Sequence, residues 1–101
     1  MIVRVWRGRA LPADADGYER HFRTEVLPEL ERLDGFRGAS LLRRAADGVV
    51  ELVAITHFDS LASVRCFAGD DYERAVVAPA ARALLLDFDE RVAHYEDVLV
   101  D

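Results

Sequence analysis

Residues 36–58 read FRGASLLRRAADGVVELVAITHF. Phe36 to Arg44 and Val49 to Phe58 are two strand-like runs, joined by Ala45-Ala46-Asp47-Gly48. An Asp-Gly step between apolar runs is a strong hairpin signal, because both residues tolerate the positive φ that a tight turn demands. The second run places Leu52, Ala54 and Thr56 on one face and Val53 and Ile55 on the other. A two-layer antiparallel sheet with one wet face alternates more cleanly than that. The second face therefore calls for cover from another sheet, and a second copy of the chain is the simplest supplier.

Working outward, Ile2 to Ala10 alternates as a strand. After Pro12, Asp14 and Asp16 are N-cap candidates, and Asp16 with Glu19 has capping-box spacing. Tyr18, Phe22, Val26, Leu30 and Leu33 then recur every three or four residues, the stripe of an amphipathic helix. Pro28 interrupts that stripe and predicts a kink or break near Glu25 to Leu27. Beyond the hairpin, Asp59 or Ser60 caps a short helix bearing Leu61, Val64, Phe67 and Ala68, and Gly69 stops it. Asp70-Asp71 offers another turn through Ala78, and Pro79 suits the first position of a last helix through Leu86. Phe88 to Val100 supplies a final strand. The order β-α-β-β-α-β is that of the ferredoxin-like plait, an α+β fold in one domain over residues 1–101.

Composition narrows the function. Hydrophobic residues make up 51% of the chain, above the usual ~45–50%, which fits apolar surface meant for a partner or ligand. The net charge is −6 and all 13 basic residues are scattered arginines. A nucleic-acid binder needs a basic stripe, so none is expected as a partner. Lysine, asparagine and glutamine are absent. Schiff-base chemistry, a pyridoxal phosphate anchor and a Walker phosphate loop all need lysine and are excluded. No apolar run approaches the ~20 residues of a membrane span, and the chain opens directly on a strand pattern, not a leader. Cys66 is the only cysteine, so a reducing cytoplasm is the expected setting. Heavy use of arginine and alanine is associated with GC-rich bacterial genomes.

Gly35-Phe36-Arg37-Gly38-Ala39, Thr56 to Leu61 (THFDSL), Phe67-Ala68-Gly69, Ala75 to Pro79 (AVVAP) and His94-Tyr95-Glu96 resemble the antibiotic biosynthesis monooxygenase (ABM) family of dimeric α+β barrels. The resemblance spans nearly the whole chain in order. It implies a homodimer with two facing sheets and, in each subunit, a pocket between sheet and helices. Some members oxidise aromatic polyketides with molecular oxygen and neither metal nor flavin; others degrade haem. Two positions depart from the pattern. Phe58 stands where such proteins often carry tryptophan, and the asparagine used by the haem-degrading and polyketide-oxidising branches is missing.

The candidate catalytic residues are His57, Tyr72 and His94. His57 ends a strand where a ligand can reach the sheet's rim; it either shuttles a proton at neutral pH or simply bonds Asp59. His94 lies on the final strand, expected beside Trp6 on the first, as a pocket group or a structural hydrogen bond. Tyr72 follows Gly69-Asp70-Asp71, and a phenol there can donate to a carbonyl or a developing oxyanion. Trp6, Phe67 and Phe88 read either as an aromatic wall for a flat substrate or as core, and Arg82 as an acidic-substrate contact or a solvated side chain. Cys66 falls off the apolar side of its helix, and His21 reads as a surface residue. No histidine spacing suits a metal, so neither metal nor cofactor is expected. Three functions follow: a cofactor-independent monooxygenase acting on a small aromatic, a cyclase or isomerase using histidine acid–base catalysis in the same pocket, or a non-catalytic small-molecule-binding dimer.

Overall fold

In the computed structural model, which describes residues Met1 to Asp101, β1 (Ile2–Ala10) is the centre of an antiparallel sheet. The hairpin strands β2 (Phe36–Ala46) and β3 (Val49–Phe58) lie on one side of it, and β4 (Asp87–Phe88) and β5 (Ala93–Glu96) on the other. The hairpin closes at Asp47 (φ 53°) and Gly48 (φ 79°), both left-handed as a two-residue turn of this twist requires. Helices cover one sheet face. No helix is long and apolar enough to cross a membrane.

Helix α1 (Pro12–His21) starts earlier than the Asp14 and Asp16 caps predict. Leu11 is its N-cap without a side-chain bond, and Pro12 fills the first turn, where its missing N–H costs nothing. Pro28 does disturb the helix, but by widening it. Phe22–Val26 forms a π-helical turn in which Leu27 N–H donates to Phe22 O, before α2 (Leu27–Glu31) resumes. Pro28 has no N–H to give the carbonyl four residues back, and a wider turn also spares its ring from that carbonyl. Helix α3 (Leu61–Ala68) is capped by Ser60, whose hydroxyl accepts from Ser63 N–H, and ends at Gly69 (φ 84°).

The last third departs most from expectation. The turn after Asp70-Asp71 covers only Tyr72 and Glu73, α4 is only Pro79–Arg82, and the final strand is split and ends at Glu96. The split has a visible cause. Between β4 and β5 the chain leaves β1 and pairs with residues 73–75: Ala75 N–H donates to Glu90 O at 2.8 Å and Val92 N–H to Glu73 O at 2.7 Å. Those backbone groups are satisfied outside the ladder, which lets the 73–78 segment lie over the sheet edge.

The inner, helix-facing side of β3 carries Val50, Leu52, Ala54, Thr56 and Phe58, all buried. Together with Trp6, Tyr18 and Phe22 the first four surround the main core, while Phe58 joins Leu30 and Val64 in a second one. The opposite face presents Val53, Ile55 and His57 on β3, Val3 and Val5 on β1, and exposed Leu42 and Tyr95 on the flanking strands.

Candidate functional site

Two adjoining cavities lie on the helix side of the sheet. The outer is a cleft of 490 Å³ between α1 with its π-turn and the 76–81 segment. The π-turn matters here, because it brings Thr24, Glu25 and Val26 together to the cleft wall. The inner is a chamber of 40 Å³ against the sheet, lined by Arg4, Trp6, Ala54 and Thr56 among others. Tyr18, Val26, Phe67 and Val76 border both. Arg20, His21, Glu25 and Glu29 add the polar groups of the outer cleft.

The chamber's floor is one row of paired residues. On β1, Arg4 faces Thr56 of β3 on one side and His94 of β5 on the other. Arg4 is 4% exposed. Its Nη1 donates to Tyr72 O at 2.5 Å and contacts His94 Nε2 at 3.0 Å, while Nη2 donates to Arg74 O at 3.0 Å. The guanidinium also lies 5.6 Å from the centre of the Phe67 ring. Burial lowers its pKa to about 10, still leaving it charged at neutral pH. Next along β1, Trp6 stacks on Tyr18 with ring centres 5.6 Å apart, and its buried indole N–H has no partner. Burial pushes the Tyr18 phenol well above its ordinary pKa, so it remains a neutral wall.

The sequence candidates divide accordingly. Trp6 lines the inner chamber, and Phe67 borders both cavities. Tyr72 contributes its backbone carbonyl to Arg4, and its ring meets His94 edge-on at 5.2 Å with the Arg65 guanidinium 5.1 Å from its face. His94 is opposite Arg4, not Trp6, in the register of β5 on β1. Burial, then the Arg4 charge, lower its pKa. Its Nδ1 is buried without a partner.

His57 is the clear correction. The strand's alternation is unbroken, so Phe58 takes the helix side and His57 the open face beside Val3 and Gly38, away from both cavities. Nor does Asp59 hold it: that carboxylate is gripped by Arg37 at 2.6 Å, which lowers its pKa. Arg82 and Phe88 are also elsewhere. Arg82 lies 5.0 Å from the Phe88 ring centre in a separate polar recess with Arg74, Glu90 and Arg91, while Phe88 backs Trp6 at 6.4 Å.

Four site residues escaped the sequence reading: Arg4, Thr56, Tyr18 and His21. Arg4 had a signal, since it shares the phase of Trp6 in a strand whose alternation is regular. His21 read as surface but lines the cleft, with its ring 6.1 Å from that of Tyr18. Cys66 is exposed, as its position off the apolar stripe predicts. No three histidine, cysteine or carboxylate side chains gather as a metal-binding group.

The chain matches no family model and no curated protein sequence. Solved structures do match it along nearly their whole length. A candidate antibiotic biosynthesis monooxygenase from Bacillus cereus is 15% identical with a TM-score of 0.69, covering 100% of this chain and 96% of its own. The haem-degrader MhuD from Mycobacterium tuberculosis, solved with two haems in its active site, is 21% identical with a TM-score of 0.65, covering 100% and 99%. Rv0793 from the same organism is 19% identical with a TM-score of 0.61, covering 99% and 95%. The protein has the ferredoxin-like α+β fold of the antibiotic biosynthesis monooxygenase-like proteins.

Proposed function

We propose that the protein is a cofactor-independent monooxygenase that takes a small aromatic into the helix-side cleft. The observation that carries this reading is the cleft: at 490 Å³ it has the size of a small-molecule site, with Tyr18, Val26 and Phe67 as apolar wall and His21 among its polar groups. The shared fold with monooxygenase-like proteins supports the reaction class.

Such a reaction needs little from the protein. A methylene between hydroxyaromatic rings loses a proton, the carbanion gives one electron to oxygen, and the radical pair joins as a hydroperoxide. Loss of water leaves a carbonyl, so CH2 and O2 become C=O and H2O. The protein must hold the ring, exclude water and accept the first proton. His21 is the imidazole in the cleft and takes that role. Tyr72 and His94 act at one remove, as positioning residues that fix Arg4.

Haem, which MhuD binds, suits these residues less well. Its propionates call for cations, whereas Glu25 and Glu29 line the cleft with Arg20, and the imidazole available lies against Tyr18. A cyclase or isomerase is the second reading, favoured by His21 and Glu25 lining one cleft; it would use the same proton acceptor without oxygen. The working form is a cytoplasmic homodimer that covers the apolar open face.

An oxygen electrode with a hydroxyanthrone as substrate tests the reading. Enzyme-dependent oxygen uptake is expected, lowered about ten-fold or more in His21→Gln. Rearrangement of the substrate without oxygen uptake supports the isomerase, and binding without turnover leaves only a binding protein.

A further inference from the structure

Arg4 is a buried cation with no anion beside it. The chain's ion pairs use surface cations: Arg9, Arg23, Arg37, Arg43, Arg44, Arg91 and the N-terminus of Met1 each meet a carboxylate. Arg4 meets only two carbonyl oxygens and one imidazole nitrogen. No carboxylate lies within ion-pair distance of Arg4. Burying a charge without a counter-ion is costly, and neutral acceptors recover only part of that cost. Its bonds leave Nε–H without a protein partner. The side chain lines the inner chamber with Thr56 and Trp6, and the Trp6 N–H is a buried donor with no acceptor.

Donors are thus in surplus and acceptors are missing. A chamber of 40 Å³ has room for a small polar group, compared with the ~30 Å³ that one water occupies in the liquid. It cannot take a ring. The rings of Tyr18 and Phe67, at the border with the outer cleft, can.

We propose that the inner chamber is a carboxylate subsite, in which Arg4 and the Trp6 indole N–H hold the acid group of an aromatic carboxylic acid whose ring lies in the outer cleft. The planar guanidinium fork matches a carboxylate better than a single point charge would. The carbonyls of Tyr72 and Arg74 and the ring of His94 fix the fork's direction before the ligand arrives. The substrate class of the proposed function becomes a hydroxyaromatic acid. This inference rests on the helix-side cleft being the ligand site, not on oxygen chemistry.

Calorimetric titration with 1-naphthoate and its uncharged counterpart 1-naphthamide tests it, with no turnover required. The acid is expected to bind at least about ten-fold more tightly, the weight of one charge-assisted hydrogen bond. Trp6 is the one tryptophan, so its indole N–H gives a single, assigned proton resonance. That resonance is expected to move downfield with naphthoate and not with naphthamide. Arg4→Met should erase the preference for the acid, so that acid and amide bind alike. If that variant does not fold, the comparison of acid and amide on the unaltered protein still decides. Equal affinity for the two, or no measurable binding of either, overturns the proposal. So does naphthoate binding that leaves the indole resonance in place. Absence of oxygen uptake beside a retained acid preference overturns the oxygenase reading alone.

Discussion

Arg4 and His94 face each other across the β1–β5 pairing, with Nη1 and Nε2 3.0 Å apart. A guanidinium has no lone pair to offer, so Nε2 accepts. The ring is then neutral with its proton on Nδ1, the nitrogen that is buried without a partner. Burial and the neighbouring cation both oppose a second proton. His94 is therefore the acceptor that aims Arg4, and protonating it would set two cations against each other.

The pH dependence follows from that relationship. The folded-state pKa of His94 lies below its ordinary 6.5, so between the two values the unfolded chain binds more protons. The stability His94 contributes is complete above about pH 6.5 and is lost as pH falls toward the folded pKa. Melting temperature should drop between about pH 7.5 and about pH 5.5, and drop less in His94→Gln, whose amide oxygen can accept from Arg4 without titrating. Matching pH profiles for the two proteins would rule out His94 as the titrating group.

Neighbouring His57 and Phe58 should behave as opposites. Phe58 is fully buried and meets Phe36 and Phe67 at ring distances of 5.8 and 6.4 Å. Phe58→Ala should cost about 3–5 kcal/mol. His57, on the open face, should tolerate alanine with a change within about 0.5 kcal/mol in the folded subunit and no loss of cleft binding. Denaturant melts and ligand titrations measure both. A His57→Ala protein that folds normally but loses the ligand would place the site on the other side of the sheet.

β1 and β3 were legible to the residue because alternation and the Asp47-Gly48 turn are local signals. The faces were not. Nothing local says which side of β3 the helices cover, so the face His57 takes stays open in the sequence, and only packing of Leu30 and Val64 on Phe58 decides. Pro28 announced an irregular helix but not a π-turn, whose extra width depends on what packs around it. The split final strand was illegible for another reason: residues 90–92 leave β1 for the 73–75 segment, a pairing between stretches with no shared pattern. Arg4 was visible as a charge in the buried phase of β1, but its lack of a counter-ion exists only in three dimensions.

The open sheet face should hold a second copy of the chain. Ile55 lies at its middle, between Ser40 of β2 and Val5 of β1. Leu42 and Tyr95 on the same face are 50% and 56% exposed in the single chain, a large apolar surface for water to meet. Sedimentation equilibrium at micromolar concentration should give twice the chain mass. Ile55→Glu would face its own copy or a close neighbour across a two-fold axis, and should yield folded monomers. An unaltered chain that sediments as a monomer would refute the facing-sheet dimer.

Gly8 sets the position of Trp6. A Cβ at residue 8 would lie 2.6 Å from Trp6 Cη2 and 2.9 Å from Cζ2, closer than carbon atoms tolerate. The indole cannot simply retreat, since Tyr18 stacks on it at 5.6 Å and Phe88 stands 6.4 Å away. Gly8→Ala should therefore shift the ring and cost about 1–3 kcal/mol, as overfilling of a packed core does. The indole N–H moves with the ring, so a carboxylate held by Trp6 and Arg4 together would lose one of its two donors. Three readouts should change in one variant: a lower melting temperature, altered Trp6 emission, and weaker binding of 1-naphthoate with 1-naphthamide affected less. If stability and emission change while the acid keeps its full advantage over the amide, Trp6 is wall and not donor, and Arg4 holds the carboxylate alone.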